Sequence, residues 1–252
     1  MKYKYKIKWV NSTDEFIKAI DEGYMNIRIP NRFRHDVLER LSTLKKKNDD
    51  YLFAYASCQY NFIDTVTRKK EAYDAALKLV KNESLKGYIA MGYCYRAGLG
   101  VEKDINKALE WFLKGATLGE AICIYWVAGI YAHELKKPED AVQFYEEAAK
   151  KGLSNAKNNL YFMYRDGEGV KKDPQKAIKL LIEAAEEGDE TAQENLALCY
   201  RRGEIVERSP NDAIYWYLKA ASKGSKRAID SLLNSYGLDY IFSRLKIKKP
   251  NE

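Results

Sequence analysis

The sequence predicts a mainly α protein: an α–α superhelix of stacked helix pairs, preceded by a small strand–helix–strand α/β segment. Three observations carry this. A Tyr recurs at Tyr95, Tyr131, Tyr164, Tyr200 and Tyr236, in steps of 36, 33, 36 and 36 residues. A Gly stands twelve residues before each of the last four, at Gly119, Gly152, Gly188 and Gly224. An Ala recurs at Ala108, Ala141, Ala177 and Ala213 on the same steps of 33, 36 and 36. Independent markers sharing one irregular period in this range signal a repeat architecture. A helix pair of this size cannot bury its apolar stripe alone, but stacked pairs can.

Taken in chain order, residues 1–45 form the α/β segment. "KYKYKIKWV" alternates Lys2, Lys4, Lys6 and Lys8 with Tyr3, Tyr5, Ile7 and Trp9, the pattern of a half-buried strand. "NSTDEFIKAIDEG" follows as a short helix, with Ser12 and Glu15 in capping-box spacing and Gly23 as a stop. "YMNIRIP" alternates again, and a 14-residue connection between two strands predicts a parallel pair. Two strands alone are marginal, so they need the helix near "RHDVLERLSTL", the solenoid end or a partner's strand. Residues 46–83 read as a degenerate leading repeat: Ala72 sits 36 before Ala108, while the Tyr and Gly markers slip.

Residues 84–252 hold the solenoid with a C-terminal cap and basic tail. The first helix of each pair is exemplified by "AQENLALCYRRG", which places Ala192, Leu196, Cys199 and Tyr200 on one helical face. The second, such as "NDAIYWYLKAASKG", does the same with Ala213, Trp216, Tyr217 and Ala220 and ends at Gly224 as a left-handed cap. Asp104, Asp173 and Ser209 are N-caps of second helices, and Pro138, Pro174 and Pro210 suit the first helical position. Residues 225–245 add one more first helix and then "LDYIFSRL", which reads as a closing cap.

The charge distribution narrows the function. The net charge is +7, but residues 84–236 hold 22 bases and 22 acids, so the excess lies in the flanks. A nucleic-acid binder concentrates its excess on the binding surface, so binding through the basic N-terminal strand and tail stands as an alternative only. No stretch approaches the roughly 20 apolar residues of a membrane span, and the N-terminus lacks the pattern of a secretory signal. Cys58, Cys94, Cys123 and Cys199 show no metal-type spacing, and His35 and His133 are the only histidines. The expectation is a cytoplasmic protein with no metal centre and no cofactor.

The units "GYCYRAGLGVEKDINKALEWFLKGATLG", "YFMYRDGEGVKKDPQKAIKLLIEAAEEG" and "LALCYRRGEIVERSPNDAIYWYLKAASKG" resemble the Sel-one-like repeat family, a longer-loop relative of the tetratricopeptide repeat. The resemblance covers about residues 84–237. The second unit, "YAHELKKPEDA", lacks the Gly-x-Gly-Val loop and is tetratricopeptide-like, and the fourth has Ile205 in place of the second Gly. The resemblance implies an α-helical superhelix serving as a non-enzymatic adaptor or scaffold for a protein or peptide partner. Some bacterial repeat proteins of this kind neutralise a toxin or effector, which is an alternative role. Secreted cysteine-rich relatives staple each unit with a Cys pair, and some hydrolyse β-lactams; no unit here has two cysteines.

Candidate sites follow. Gly167-Glu168-Gly169 with Lys171 and Lys172 resembles a phosphate cradle, but a helix precedes it where a cradle needs a strand, and the repeats replace Lys171 by Glu102 or Glu207. A turn between helices is the better reading. Cys94 and Cys199 lie three units apart, about 25–30 Å at one helix-packing distance per unit, beyond the reach of a disulfide. No catalytic constellation is found. In tetratricopeptide-like solenoids, the first-helix residues not used for packing line a concave groove. By that register the groove residues are Tyr93, Arg96, Tyr125, Asn158, Phe162, Arg165, Glu194, Leu198 and Arg201, with His133 and Arg202 beside them. The Tyr-Arg pairs at 95–96, 164–165 and 200–201 would present a row of guanidinium groups interrupted at Ala132. Aromatics beside Arg suit a protein interface; alternatively, Arg after the marker Tyr caps the helix dipole.

Overall fold

The computed structural model describes residues 4–9, 14–15, 24–28 and 66–245, with side chains at 14–15 and 69–237. The chain divides into two compact units, Met1–Leu153 and Ser154–Glu252. In the first, strand β1 (Lys4–Trp9) pairs in parallel with β2 (Tyr24–Arg28), Ile7 opposite Asn26 and Trp9 opposite Arg28, with an irregularity between Lys4 and Ile7. The helix expected between the strands and the one near "RHDVLERLSTL" lie outside the described residues, apart from a helical Asp14–Glu15.

Five helices complete the first unit among the described residues: α1 (Val66–Lys81), α2 (Leu85–Ala97), α3 (Ile105–Thr117), α4 (Ala121–Gly129) and α5 (Pro138–Lys150). A π-helical turn, Ile130–Glu134, continues α4. The marker alanines Ala72, Ala108 and Ala141 are fully buried, which lets neighbouring helices approach closely. The core around them holds Leu79, Ile89, Met91, Cys94, Phe112, Cys123 and Val127. Two glycines allow the closest approaches: Gly92 of α2 has no Cβ to hold off the Phe112 ring, and Gly115 of α3 none to hold off Cys123 of α4.

The second unit contains α6 (Ser154–Asp166), α7 (Pro174–Glu186), α8 (Glu190–Arg202), α9 (Pro210–Ser222) and α10 (Lys226–Leu245), the last kinked at Gly237. Ala177 and Ala213 are again fully buried, beside Leu181, Leu196 and Ala220. The side chains of the closing "LDYIFSRL" lie outside the described residues.

The same few bonds recur in the full-length repeats, which explains the shared ruler. The N-cap side chains of Asp104, Asp173 and Ser209 accept from the amides of Lys107, Lys176 and Asp212 at 3.0, 2.9 and 3.3 Å, each satisfying a helix-start donor. The amide of the N-cap residue in turn donates to the marker Tyr carbonyl: Asp104 to Tyr95, Asp173 to Tyr164, Ser209 to Tyr200. In the shortened repeat Lys137 donates to Tyr131 instead, so the loop closes three residues earlier on the same carbonyl. The loop glycines Gly98, Gly167 and Gly203 take positive φ and end the first helices. Glu134 occupies that position in the short repeat. There the helix widens into the π turn, with the Leu135 amide donating to the Ile130 carbonyl at 3.0 Å.

Three positive-φ residues that are not glycine fall on glycine positions of the ruler. Glu83 (φ 54) stands twelve before Tyr95, where later repeats have Gly119, Gly152, Gly188 and Gly224. Lys136 (φ 56) and Ile205 (φ 67) stand where Gly100 and Gly169 do in theirs. The Gly marker expected to slip in the leading repeat is therefore in register; only its residue type has changed. The Ser84 amide makes the same bond to Leu79 that Ser225 makes to Ala220.

Candidate partner-binding face of the first helices

In the first unit the predicted residues gather around one aromatic that composition alone does not single out. Trp126 on α4 donates its indole N–H to the Tyr93 hydroxyl of α2 at 3.0 Å. Its ring stacks with Phe112 at 6.0 Å and meets Tyr93 and Tyr125 edge-on at 5.5 Å each. Tyr125 also meets the buried Tyr145 at 5.7 Å. The Arg96 guanidinium lies 4.5 Å over the Trp126 ring and 4.0 Å from Glu134, with its side chain 27% exposed. Such a cation–π stack is strongest when partly shielded from water. Tyr93, Arg96 and Tyr125 are thus brought together, and His133 is exposed in the π turn.

In the second unit Phe162 packs edge-on against Tyr161 at 4.9 Å, and the Arg165 guanidinium lies 4.9 Å over Phe162. Arg165 also forks its own neighbour, Nε and Nη2 reaching the two Asp166 oxygens at 2.7 and 2.6 Å. That fork holds the Asp166 carboxyl below its ordinary range. The Tyr161 hydroxyl lies 3.3 Å from Cys199 Sγ, and burial, followed by the bond to Cys199, pushes its pKa up to about 12. Glu194 is bonded to Ser225 and lies 3.7 Å from Arg227. Arg201 donates to Ser235 Oγ at 2.6 Å, Arg202 lies 3.3 Å from Glu204, and Leu198 is half-buried on the same helix.

One expectation changes. Asn158 is buried, and its Oδ1 accepts from Asn195 Nδ2 at 3.0 Å, so it holds α6 to α8 rather than facing a ligand. Each guanidinium of the expected row has a local partner: Glu134 for Arg96, Asp166 for Arg165 and Ser235 for Arg201. The residues the register misses are Trp126, Tyr161 and Asn195. For Trp126 a signal exists, because it is the one Trp in a first helix, where other repeats place Ala90, Asn159 and Asn195.

The glycine loop is a turn. The Gly167 and Glu168 amides donate to the Met163 carbonyl, and the Asp173 amide to Tyr164, so they point inward rather than at an anion. Cys94, Cys123 and Cys199 are free thiols in the core, and burial pushes the Cys94 pKa up to about 12. Among the described residues, no group of three His, Cys, Asp or Glu side chains is placed to hold a metal ion, and no helix is long and apolar enough to cross a membrane. The side chains of the basic strand and tail lie outside the described residues.

Comparison with known proteins gives a consistent picture. The family described as Sel1 repeat matches residues 85–120, 122–153, 156–189 and 191–225. The crystal structure of a Sel1 repeat protein from Oxalobacter formigenes is 25% identical, covers 91% of each chain and superposes with a TM-score of 0.66. The protective antigen c5321 of uropathogenic Escherichia coli, which displays an SLR fold, is 21% identical with a TM-score of 0.56. That match covers 92% of this chain and 55% of c5321, so this chain spans about half its length. The immunity protein Pa5087 from Pseudomonas aeruginosa is 23% identical, covering 81% of this chain and 77% of that one, with a TM-score of 0.58. No curated protein matches the chain.

Proposed function

The chain belongs to the Sel1 repeat family, and from that premise we propose that it is a non-enzymatic module that binds a protein or peptide partner on its first-helix faces. One observation carries the reading. At the same register in each unit, a partly exposed guanidinium lies over an aromatic ring: Arg96 over Trp126 at 4.5 Å and Arg165 over Phe162 at 4.9 Å. Rigid aromatics and Arg concentrate binding energy at protein interfaces, and these are already ordered before any partner arrives. Free thiols in the core favour a reducing compartment, the cytoplasm.

The test is affinity purification with the intact chain and with an Arg96→Gln/Phe162→Ser/Arg201→Gln variant, followed by mass spectrometry. A partner captured by the native chain and lost by the folded variant supports the reading. Undiminished capture by the variant removes the first-helix face from it. A captured partner that arrests growth when expressed alone, and is silenced by co-expression, would make this an immunity-type module. The likeness to the Pseudomonas immunity protein, at 23% identity, is one of fold.

A further inference from the structure

Four guanidinium groups in the last turns of α2, α6 and α8 differ in how their charge is met, and this bears on what kind of partner the second unit would take. Arg96 has Glu134, Arg165 has both oxygens of Asp166, and Arg202 has Glu204. Arg201 instead donates one N–H to the neutral hydroxyl of Ser235, with no carboxylate in ion-pair range among the described residues. A guanidinium carries five donors in a planar fork shaped to take a carboxylate. Glu194, seven residues earlier on the same helix, is engaged by Ser225 and Arg227 instead.

The surroundings supply an apolar contact. Leu198 lies three residues before Arg201, on the same half-buried face of α8. Phe162 occupies the Leu198 register on α6, and the two helices are held together by Asn195 to Asn158 at 3.0 Å and Tyr161 to Cys199 at 3.3 Å. Helices in such contact lie about 8–10 Å apart, which roughly three residues of extended chain span.

Resting on the protein-binding reading above, we propose that Phe162, Leu198 and Arg201 dock an extended peptide segment of the partner. Apolar side chains of the segment pack on Phe162 and Leu198, and an Asp or Glu side chain is forked by Arg201. The carboxylate is assigned to a side chain of a segment that crosses both helices, and amidation of the peptide C-terminus tests that assignment.

The experiment pans a random peptide phage library on the immobilised full-length chain, on Arg201→Gln and on Arg202→Gln, each checked for folding by circular dichroism and melting. Peptides enriched on the native chain are expected to carry an acidic residue within a few positions of an apolar one. As synthetic peptides they bind Arg201→Gln roughly 10- to 100-fold more weakly and Arg202→Gln unchanged. Replacing the acid by its amide costs as much on the native chain and nothing further on Arg201→Gln, and amidating the C-terminus changes nothing. Enriched peptides without an acid, or with equal affinity for Arg201→Gln, overturn the carboxylate assignment and leave the protein-binding reading standing. Loss on C-terminal amidation alone overturns the side-chain source. An absence of enriched peptides overturns peptide docking, and the affinity purification then decides separately whether a folded partner binds.

Discussion

Gly92 on α2 lies so close to Phe112 of α3 that a Cβ built on it comes within 2.3 Å of the ring. Phe112 has nowhere to retreat, being fully buried between Tyr93 at 5.9 Å and Trp126 at 6.0 Å. Gly92→Ala therefore sets two effects against each other. Helix propensity favours Ala by about 1 kcal/mol, while overpacking a filled core costs about 1–3 kcal/mol. The expected net result is destabilisation, read as a lower urea midpoint. Phe112→Leu, damaging by itself, should make Gly92→Ala less so. A more stable Gly92→Ala would mean that the ring moves freely, contrary to this packing.

The three non-glycine residues on glycine positions give a second prediction. A left-handed conformation costs a residue with a Cβ roughly 1–2 kcal/mol, and glycine offsets part of this by its greater freedom in the unfolded chain. Ile205→Gly should therefore stabilise the protein by about 0.5–1 kcal/mol, since Ile205 is β-branched at φ 67. Glu83→Gly and Lys136→Gly should gain less, because neither side chain is branched at Cβ. Thermal melts of the three variants give the order. A destabilised Ile205→Gly would show that the half-buried Ile205 side chain contributes more through packing than its backbone costs.

These positions also mark how far the sequence is legible. Backbone-local chemistry reads directly: Asp104, Asp173 and Ser209 cap the helices that their types and spacing predict, and Gly224 ends α9 at φ 92. Glu83 hides its turn because the left-handed requirement belongs to the position, and a less suitable residue can meet it. Which neighbour a side chain meets is harder to read, because that depends on helix rotation by a few tens of degrees. Arg165 thus reads as one of three equal arginines, while its geometry ties it to Asp166. Trp126 falls outside the register of groove positions, while it anchors the Tyr93–Arg96 face.

Alkaline pH should weaken the fold, and the sign follows from the raised pKa values. Burial pushes the Cys94 pKa up to about 12 from an ordinary value of 9.0, and raises those of Cys123 and Cys199 as well. The folded state therefore holds these protons more tightly than the unfolded chain. The contribution is fully present below pH 9 and is lost as pH rises from there toward 12. Lys157 acts in the same direction at higher pH. Burial alone would lower its pKa, but its bonds to Glu187 and Glu183 at 2.8 and 2.9 Å prevail and raise it. Urea midpoints should stay flat from pH 7 to 8.5 and fall above 9, with a shallower fall in Cys94→Ala. The thiols of Cys94, Cys123 and Cys199 should also resist labelling at pH 8 until the chain is unfolded.

The buried pair Asn158–Asn195 separates a structural role from a binding role. With both residues under a tenth exposed, Asn195→Ala leaves the Asn158 oxygen in the core without its 3.0 Å donor. An orphaned buried acceptor costs about 1–3 kcal/mol, so Asn195→Ala should lower the melting temperature by several degrees. Asn158→Ala should do likewise, because it strands the Asn195 amide. The double variant Asn158→Ala/Asn195→Ala removes both polar groups, and it should cost less than the two single variants summed, giving a coupling energy of about 1 kcal/mol. Partner capture by Asn158→Ala, measured well below its melting temperature, should match the native chain. Reduced capture without reduced stability would return Asn158 to the binding face, where its register alone had placed it.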